Sequence, residues 1–168
     1  ALHGGWAIRG SFDNGVLKVF AFTHVTQNLR TMHVMIYWFR NDLRLHDNPA
    51  LLQAIAESDA MLCVYCHAPR DATVAWGFAR QGHHRRVFLS QALLDLRQRL
   101  EAQGQRLLEC CGNPMMMLPI IAEAIGASHI YCEAIEAPYE QDEIAGLRRQ
   151  GLTVKTFWQS TLLEIDAL

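Results

Sequence analysis

The sequence predicts an α/β domain with a doubly wound parallel sheet. Three observations predict it: five short apolar runs rich in β-branched and aromatic residues, four stretches of helical periodicity alternating with them, and capping signals at the joints. Strands that alternate with helices pair in parallel, because each helix carries the chain back to begin the next strand in the same direction. At 168 residues, 51% hydrophobic and 19% charged, the chain has room for one domain with a proper core and hardly for two.

Residues 1–31 stand outside the alternation. Asp13-Asn14-Gly15 separates two alternating runs, Trp6 to Phe12 and Val16 to Thr23, and Asn-Gly between such runs signals a β-hairpin. This leader reads either as a hairpin docked on a sheet edge or a partner, or as upstream sequence outside the domain; a lone hairpin is marginal unless it docks. From Val34 the strands are expected at Val34–Phe39, Ala60–Cys66, Arg106–Cys111, His129–Cys132 and Thr153–Phe157. Helices are expected at Pro49–Glu57, His84–Gln103, Pro114–Ile125 and Tyr139–Gln150. Asn48-Pro49 and Asn113-Pro114 place a side-chain acceptor before a proline that has no N–H to lose, which starts a helix. Leu51, Leu52 and Ile55 then continue the first of these. In the longest helix Phe88, Leu89, Ala92, Leu93, Leu96 and Leu100 recur at helical spacing and define its apolar face. Gly104, Gly126 and Gly151 follow three helix ends, and Pro119 must kink the third helix or delay its start. Five strands and four helices make a doubly wound, Rossmann-like domain.

Composition excludes several functions. A net charge of −2 gives no global basic field for nucleic acid, and no apolar run approaches the length of a membrane span. The amino end lacks the pattern of a signal peptide, since Trp6, Arg9, Asp13 and Lys18 interrupt it. The five cysteines fall mostly in strands and read as buried free thiols of a reducing compartment, so a cytoplasmic location is expected. Cys63-x-x-Cys66 lies within a strand rather than at a helix N-terminus, and no second pair completes a metal site, so it reads as core. A glycine-rich phosphate loop is missing: Arg40-Asn41-Asp42-Leu43-Arg44 occupies its place. There is no nucleophile elbow either. Arg80, Arg85, Arg86, Arg97 and Arg99 form a basic cluster without an aromatic platform, which reads as a solvated helix face.

What remains is the rim of strand ends, where open α/β sheets bind ligands. The first strand delivers Arg40, Asn41 and Asp42, the second His67, Pro69 and Arg70, the fourth Glu133 and Glu136. Asp42 and Arg44 read chiefly as internal ties of a tight loop, and Asp47 as support for the helix start. Arg40 and Glu133 stand open between loop tie and ligand anchor.

Trp38-Phe39-Arg40-x-Asp42-Leu43-Arg44-Leu45-x-Asp47-Asn48 resembles the opening motif of the DNA photolyase/cryptochrome family. Further stretches resemble it in the same order: Cys63-Val64-Tyr65-Cys66-His67-Ala68-Pro69-Arg70, Gly82-His83-His84-Arg85-x-x-Phe88-Leu89, Gly112-Asn113-Pro114 with Leu118-Pro119, and Phe157-Trp158-Gln159-Ser160. The resemblance covers about residues 33–168, and Met32 stands where such a domain would start. It implies a strand order of 3-2-1-4-5 and the amino-terminal antenna (light-harvesting) domain, which carries a reduced folate or a deazaflavin. The larger helical domain that binds FAD and repairs DNA would then lie outside this chain, which alone is expected not to be catalytic. The deazaflavin reading implicates Arg40, Asn41, Asp42, His67 and Arg70. The folate reading implicates Glu140 at the family's carboxylate position, although Tyr139 replaces the family's Asn beside it. The expected partner is the FAD-binding helical domain, without direct nucleic-acid contact. The alternative is a non-catalytic interaction module that dimerises through the exposed docking face, and a small nucleotide-binding enzyme is a weaker third.

Overall fold

The structure, a computed structural model, describes residues 9–13, 16–20, 32–68, 74–75, 77–79 and 81–160. β1 (Arg9–Asp13) and β2 (Val16–Phe20) pair antiparallel with Asp13 opposite Val16. The Asn14-Gly15 pair between them, the hairpin signal of the sequence, lies outside the described residues. The order continues β3 (Val34–Phe39), α1 (Pro49–Glu57), β4 (Ala60–His67), β5 (Val74–Ala75), β6 (Phe78–Ala79), α2 (His83–Ala102), β7 (Leu107–Cys111), α3 (Pro114–Ile125), β8 (His129–Glu133), α4 (Pro138–Arg149) and β9 (Thr153–Phe157). Five of these strands form one parallel sheet in the order β7-β4-β3-β8-β9, which is 3-2-1-4-5 by sheet strand.

The sheet is double-sided because β3 alternates between two cores. Met35, Tyr37 and Phe39 pack with Ala50, Leu51 and Ala54 of α1 and with Leu93, Leu96 and Leu100 of α2. Val34, Ile36 and Trp38 pack with Leu118, Ile121 and Ala122 of α3 and with Ile144 and Leu147 of α4. Successive strand side chains point to opposite faces, so a central strand covered on both sides must be apolar throughout. All six residues of β3 are buried. Each fully buried Leu, Ile or Phe contributes about 1.5–3 kcal/mol, so these two layers dominate the stability of the sheet.

Asn48 caps α1 by accepting from the Leu51 N–H at 3.1 Å, and Asn113 caps α3 by accepting from the Met115 N–H at 2.9 Å. Gly126 ends α3 in the left-handed conformation, φ 71°. Pro119 sits inside α3 without delaying its start. A proline there cannot donate to the carbonyl four residues back. That carbonyl, of Met115, instead accepts from Gln150 Nε2 at the end of α4, at 3.0 Å.

α1 runs over Pro49–Glu57 as expected and includes Leu51, Leu52 and Ile55; it buries Ala50, Leu51 and Ala54 and leaves Leu52 and Ile55 exposed. One expectation needs correction. Phe88, expected on the apolar face of α2, is exposed, because that helix meets the core through Leu89, Leu93, Leu96 and Leu100 and Phe88 lies off that stripe. The small antiparallel pair β5–β6, just before α2, has no counterpart in the sequence reading.

Candidate functional site

The loop leaving β3 is held by one carboxylate. Asp42 Oδ2 accepts from the Tyr37 hydroxyl at 2.6 Å, Asn48 Nδ2 at 3.1 Å and Gln159 Nε2 at 2.8 Å; Oδ1 accepts from the Arg40 N–H at 3.1 Å. Asn48 also donates to the Arg44 carbonyl at 3.0 Å. Burial first, then the Asp42 charge, push the Tyr37 hydroxyl far above its ordinary pKa, so it remains a donor. Arg44 closes the loop through its Nε on the Asp47 carbonyl at 3.0 Å, while Asp47 itself takes a positive φ of 50°. Asp42 therefore faces loop donors and not the crevice.

Arg40 crosses the point where strand order reverses, between β3 and β8. Its guanidinium lies 4.6 Å from the centroid of the Trp38 ring and pairs with Glu143 Oε2 of α4 at 3.2 Å. It also donates to the Glu133 and Glu140 carbonyls, each at 3.4 Å. Both members of the ion pair are buried. Glu133 accepts from the Asn41 N–H at 3.3 Å and from the Ser160 hydroxyl at 2.8 Å, and burial raises its pKa above the ordinary carboxylate value. Arg40 and Glu133 thus tie the first loop to β8, α4 and the segment after β9.

Beside this junction opens a cavity of about 470 Å³. Trp38, Phe39, Arg40 and Asn41 line it from the end of β3, and Tyr65, Cys66 and Ala68 from the end of β4. The first turns of α2 add the exposed Arg85 and Phe88, and Leu89, which packs against the core; Glu140 and Glu143 of α4 close the other side. Of the candidate residues, Arg40, Asn41 and Glu140 line the cavity. Asp42 and Glu133 sit behind it, within the loop ties. His67 turns toward β7, with Nε2 2.9 Å from Glu109 Oε2, and Arg97 of α2 also pairs with that carboxylate. Burial works against the charge of Glu109, yet these two partners hold its pKa below the ordinary value. Arg70 lies outside the described residues. The sequence reading missed Trp38, Tyr65, Arg85 and Phe88 as wall residues; aromatics at or near the strand ends were the available signal for Trp38 and Tyr65, and periodicity carried none for Phe88. Among the described residues no group of three or more His, Cys, Asp or Glu could hold a metal ion, and no helix is long and apolar enough to cross a membrane.

Fold and crevice together define a doubly wound α/β domain with a ligand-sized cavity at the carboxyl ends of its strands. The model of the DNA photolyase family matches residues 35–168, and the chain belongs to that family. It is 37% identical over 139 residues to the blue-light photoreceptor PHR2 of Arabidopsis thaliana, an alignment covering 79% of this chain and 31% of that protein. The crystal structure of a Synechocystis cryptochrome superposes with a TM-score of 0.76 at 36% identity, over 80% of this chain and 29% of the other. An archaeal photolyase from Sulfolobus tokodaii, described with two FAD molecules and the implication of a novel light-harvesting cofactor, shares the fold. Its TM-score is 0.69 at 23% identity, over 80% of this chain and 31% of that one. The chain thus spans about three-tenths of the length of these relatives.

Proposed function

We propose that residues 32–168 form the light-harvesting (antenna) domain of a photolyase/cryptochrome-family protein, with residues 1–31 as a leader. The cavity carries the proposal. Its 470 Å³ falls within the range of small-molecule sites, and its walls are about as polar as apolar: Trp38, Tyr65 and Phe88 offer ring faces, and Arg40, Asn41, Gln81, Arg85, Glu140 and Glu143 offer polar anchors. Such a slot suits a planar chromophore anchored at its edges. Bound there, the chromophore would absorb blue or near-ultraviolet light and pass the excitation to a flavin. The flavin would be the FAD of a helical partner domain, and repair of DNA would belong to that domain, in the cytoplasm.

Between the two chromophore classes, the deazaflavin reading gains support from a cavity walled by the α/β domain's own elements. The folate reading draws on Glu140 alone, with Tyr139 exposed beside it. The test is an absorption spectrum of the purified chain after incubation with a deazaflavin or a reduced folate and desalting. A retained visible or near-ultraviolet band that Phe88→Ala abolishes supports the antenna reading. No band with either compound moves the weight to the second reading, an interaction module. That reading draws on Met116 and Ile120, exposed at 67% and 51% one helical turn apart on α3. It requires a colourless, concentration-dependent dimer.

A further inference from the structure

The cysteines that the sequence pairs are not the ones that the fold pairs. Cys63 and Cys66 are three apart on β4, so one points into each core layer: Cys63 packs with the α1–α2 side and Cys66 with the α3–α4 side. The neighbour of Cys66 is Cys110, its register partner on β7. Their sulfurs lie 3.2 Å apart, and both side chains are buried in the same layer. Adjacent strands run about 4.8 Å apart, within the 4.4–6.8 Å separation of Cα atoms that a disulfide spans. Cys66 also lines the cavity, which gives a small reagent a way to reach it. Cys111, the next residue on β7, is exposed, and its register partner on β4 is His67.

We infer that Cys66 and Cys110 form a reversible thiol–disulfide site in the wall of the cavity, with a peroxide as the oxidant. The Cys66 sulfur, as thiolate, attacks one peroxide oxygen; the O–O bond breaks, and the departing hydroxide takes up a proton to leave as water. This makes a sulfenic acid at Cys66. The Cys110 sulfur then attacks the Cys66 sulfur; the S–S bond forms, the S–O bond breaks, and the second oxygen leaves as water with the Cys110 proton. Two thiols are oxidised by two electrons, and one peroxide is reduced to two waters. Cys110 beside it and burial both push the Cys66 thiol far up, while Cys66 in turn holds the Cys110 thiol low, so the Cys66 thiolate is scarce and the first step is slow, gaining rate as pH rises. The bridge would cross-link β4 to β7 next to Tyr65, another wall residue. The site would exist whether or not the cavity holds a chromophore.

The experiment treats the full chain with dilute hydrogen peroxide, blocks the remaining thiols, and maps peptides under non-reducing conditions. The expected result is the loss of two of the five thiols per chain, with a cross-linked peptide containing Cys66 and Cys110 that dithiothreitol reverses. Cys111→Ser should leave that peptide unchanged, and Cys110→Ala should remove it. Recovery of Cys66 and Cys110 as free thiols while Cys111 is oxidised would overturn the inference, and the unaltered chain alone suffices to show it.

Discussion

Asp42 gathers a hydroxyl, two side-chain amides and a backbone N–H onto two oxygens. Its removal strands buried donors, and an unmade bond to a charged group costs more than an intact one contributes. Asp42→Ala should therefore lower stability by about 3 kcal/mol, seen as a lower urea midpoint, by the same amount with or without a bound chromophore. A fall seen only in chromophore affinity would instead make Asp42 a ligand residue. Glu109 supplies a pH dependence. Its pKa is lower in the fold than the ordinary 4.5, so the unfolded chain takes up the proton first as pH falls. The stabilisation from His67 and Arg97 is thus complete above that ordinary value and is lost as pH drops through the lowered one. In thermal melts across that acid range, Glu109→Gln should show a shallower loss of melting temperature than the unaltered chain.

At the scale of elements, α3 and α4 are coupled through one carbonyl. Gln150→Ala should cost about 1 kcal/mol, because the Met115 carbonyl loses its donor. In a Pro119→Ala background the new N–H at 119 can serve that carbonyl, so the same change at Gln150 should then cost close to nothing. Urea unfolding of the four chains of this double-mutant cycle measures the difference; additive effects would sink the account. The sequence announced Pro119 but not its remedy, since Gln150 lies thirty-five positions from Met115. The same limit applies elsewhere. Asn48 and Asn113 were legible as caps because a cap bonds within its own first turn. The partners of Arg40 at Glu133 and Glu143 were not, because only the folded sheet brings β3 against β8 and α4. Phe88 was misread because periodicity names a helix's apolar residues without saying where the stripe that meets the core ends. β5 and β6, two residues each, are too short to carry any period.

In the molecule as a whole, the cavity has a fixed floor and a free wall. The floor is the Arg40–Glu143 pair, buried in the junction that joins the first loop to β8 and α4. The wall is the start of α2, where Phe88 is 70% exposed and adds nothing to either core layer. Breaking a buried pair from one side leaves a charge without its counterion, at a cost of about 3–5 kcal/mol, whereas changes at exposed positions stay within about 0.5 kcal/mol. Arg40→Ala should therefore lower the melting temperature sharply and lose chromophore only as a consequence of the weakened fold. Phe88→Ala should melt like the unaltered chain and still release the chromophore on desalting, because the ring closes the slot from outside. Melting curves and retained absorbance, measured on the same two preparations, separate the roles. If Phe88→Ala kept its absorbance, the chromophore would have to sit elsewhere on the domain, and the exposed start of α2 would need another explanation, such as contact with a partner.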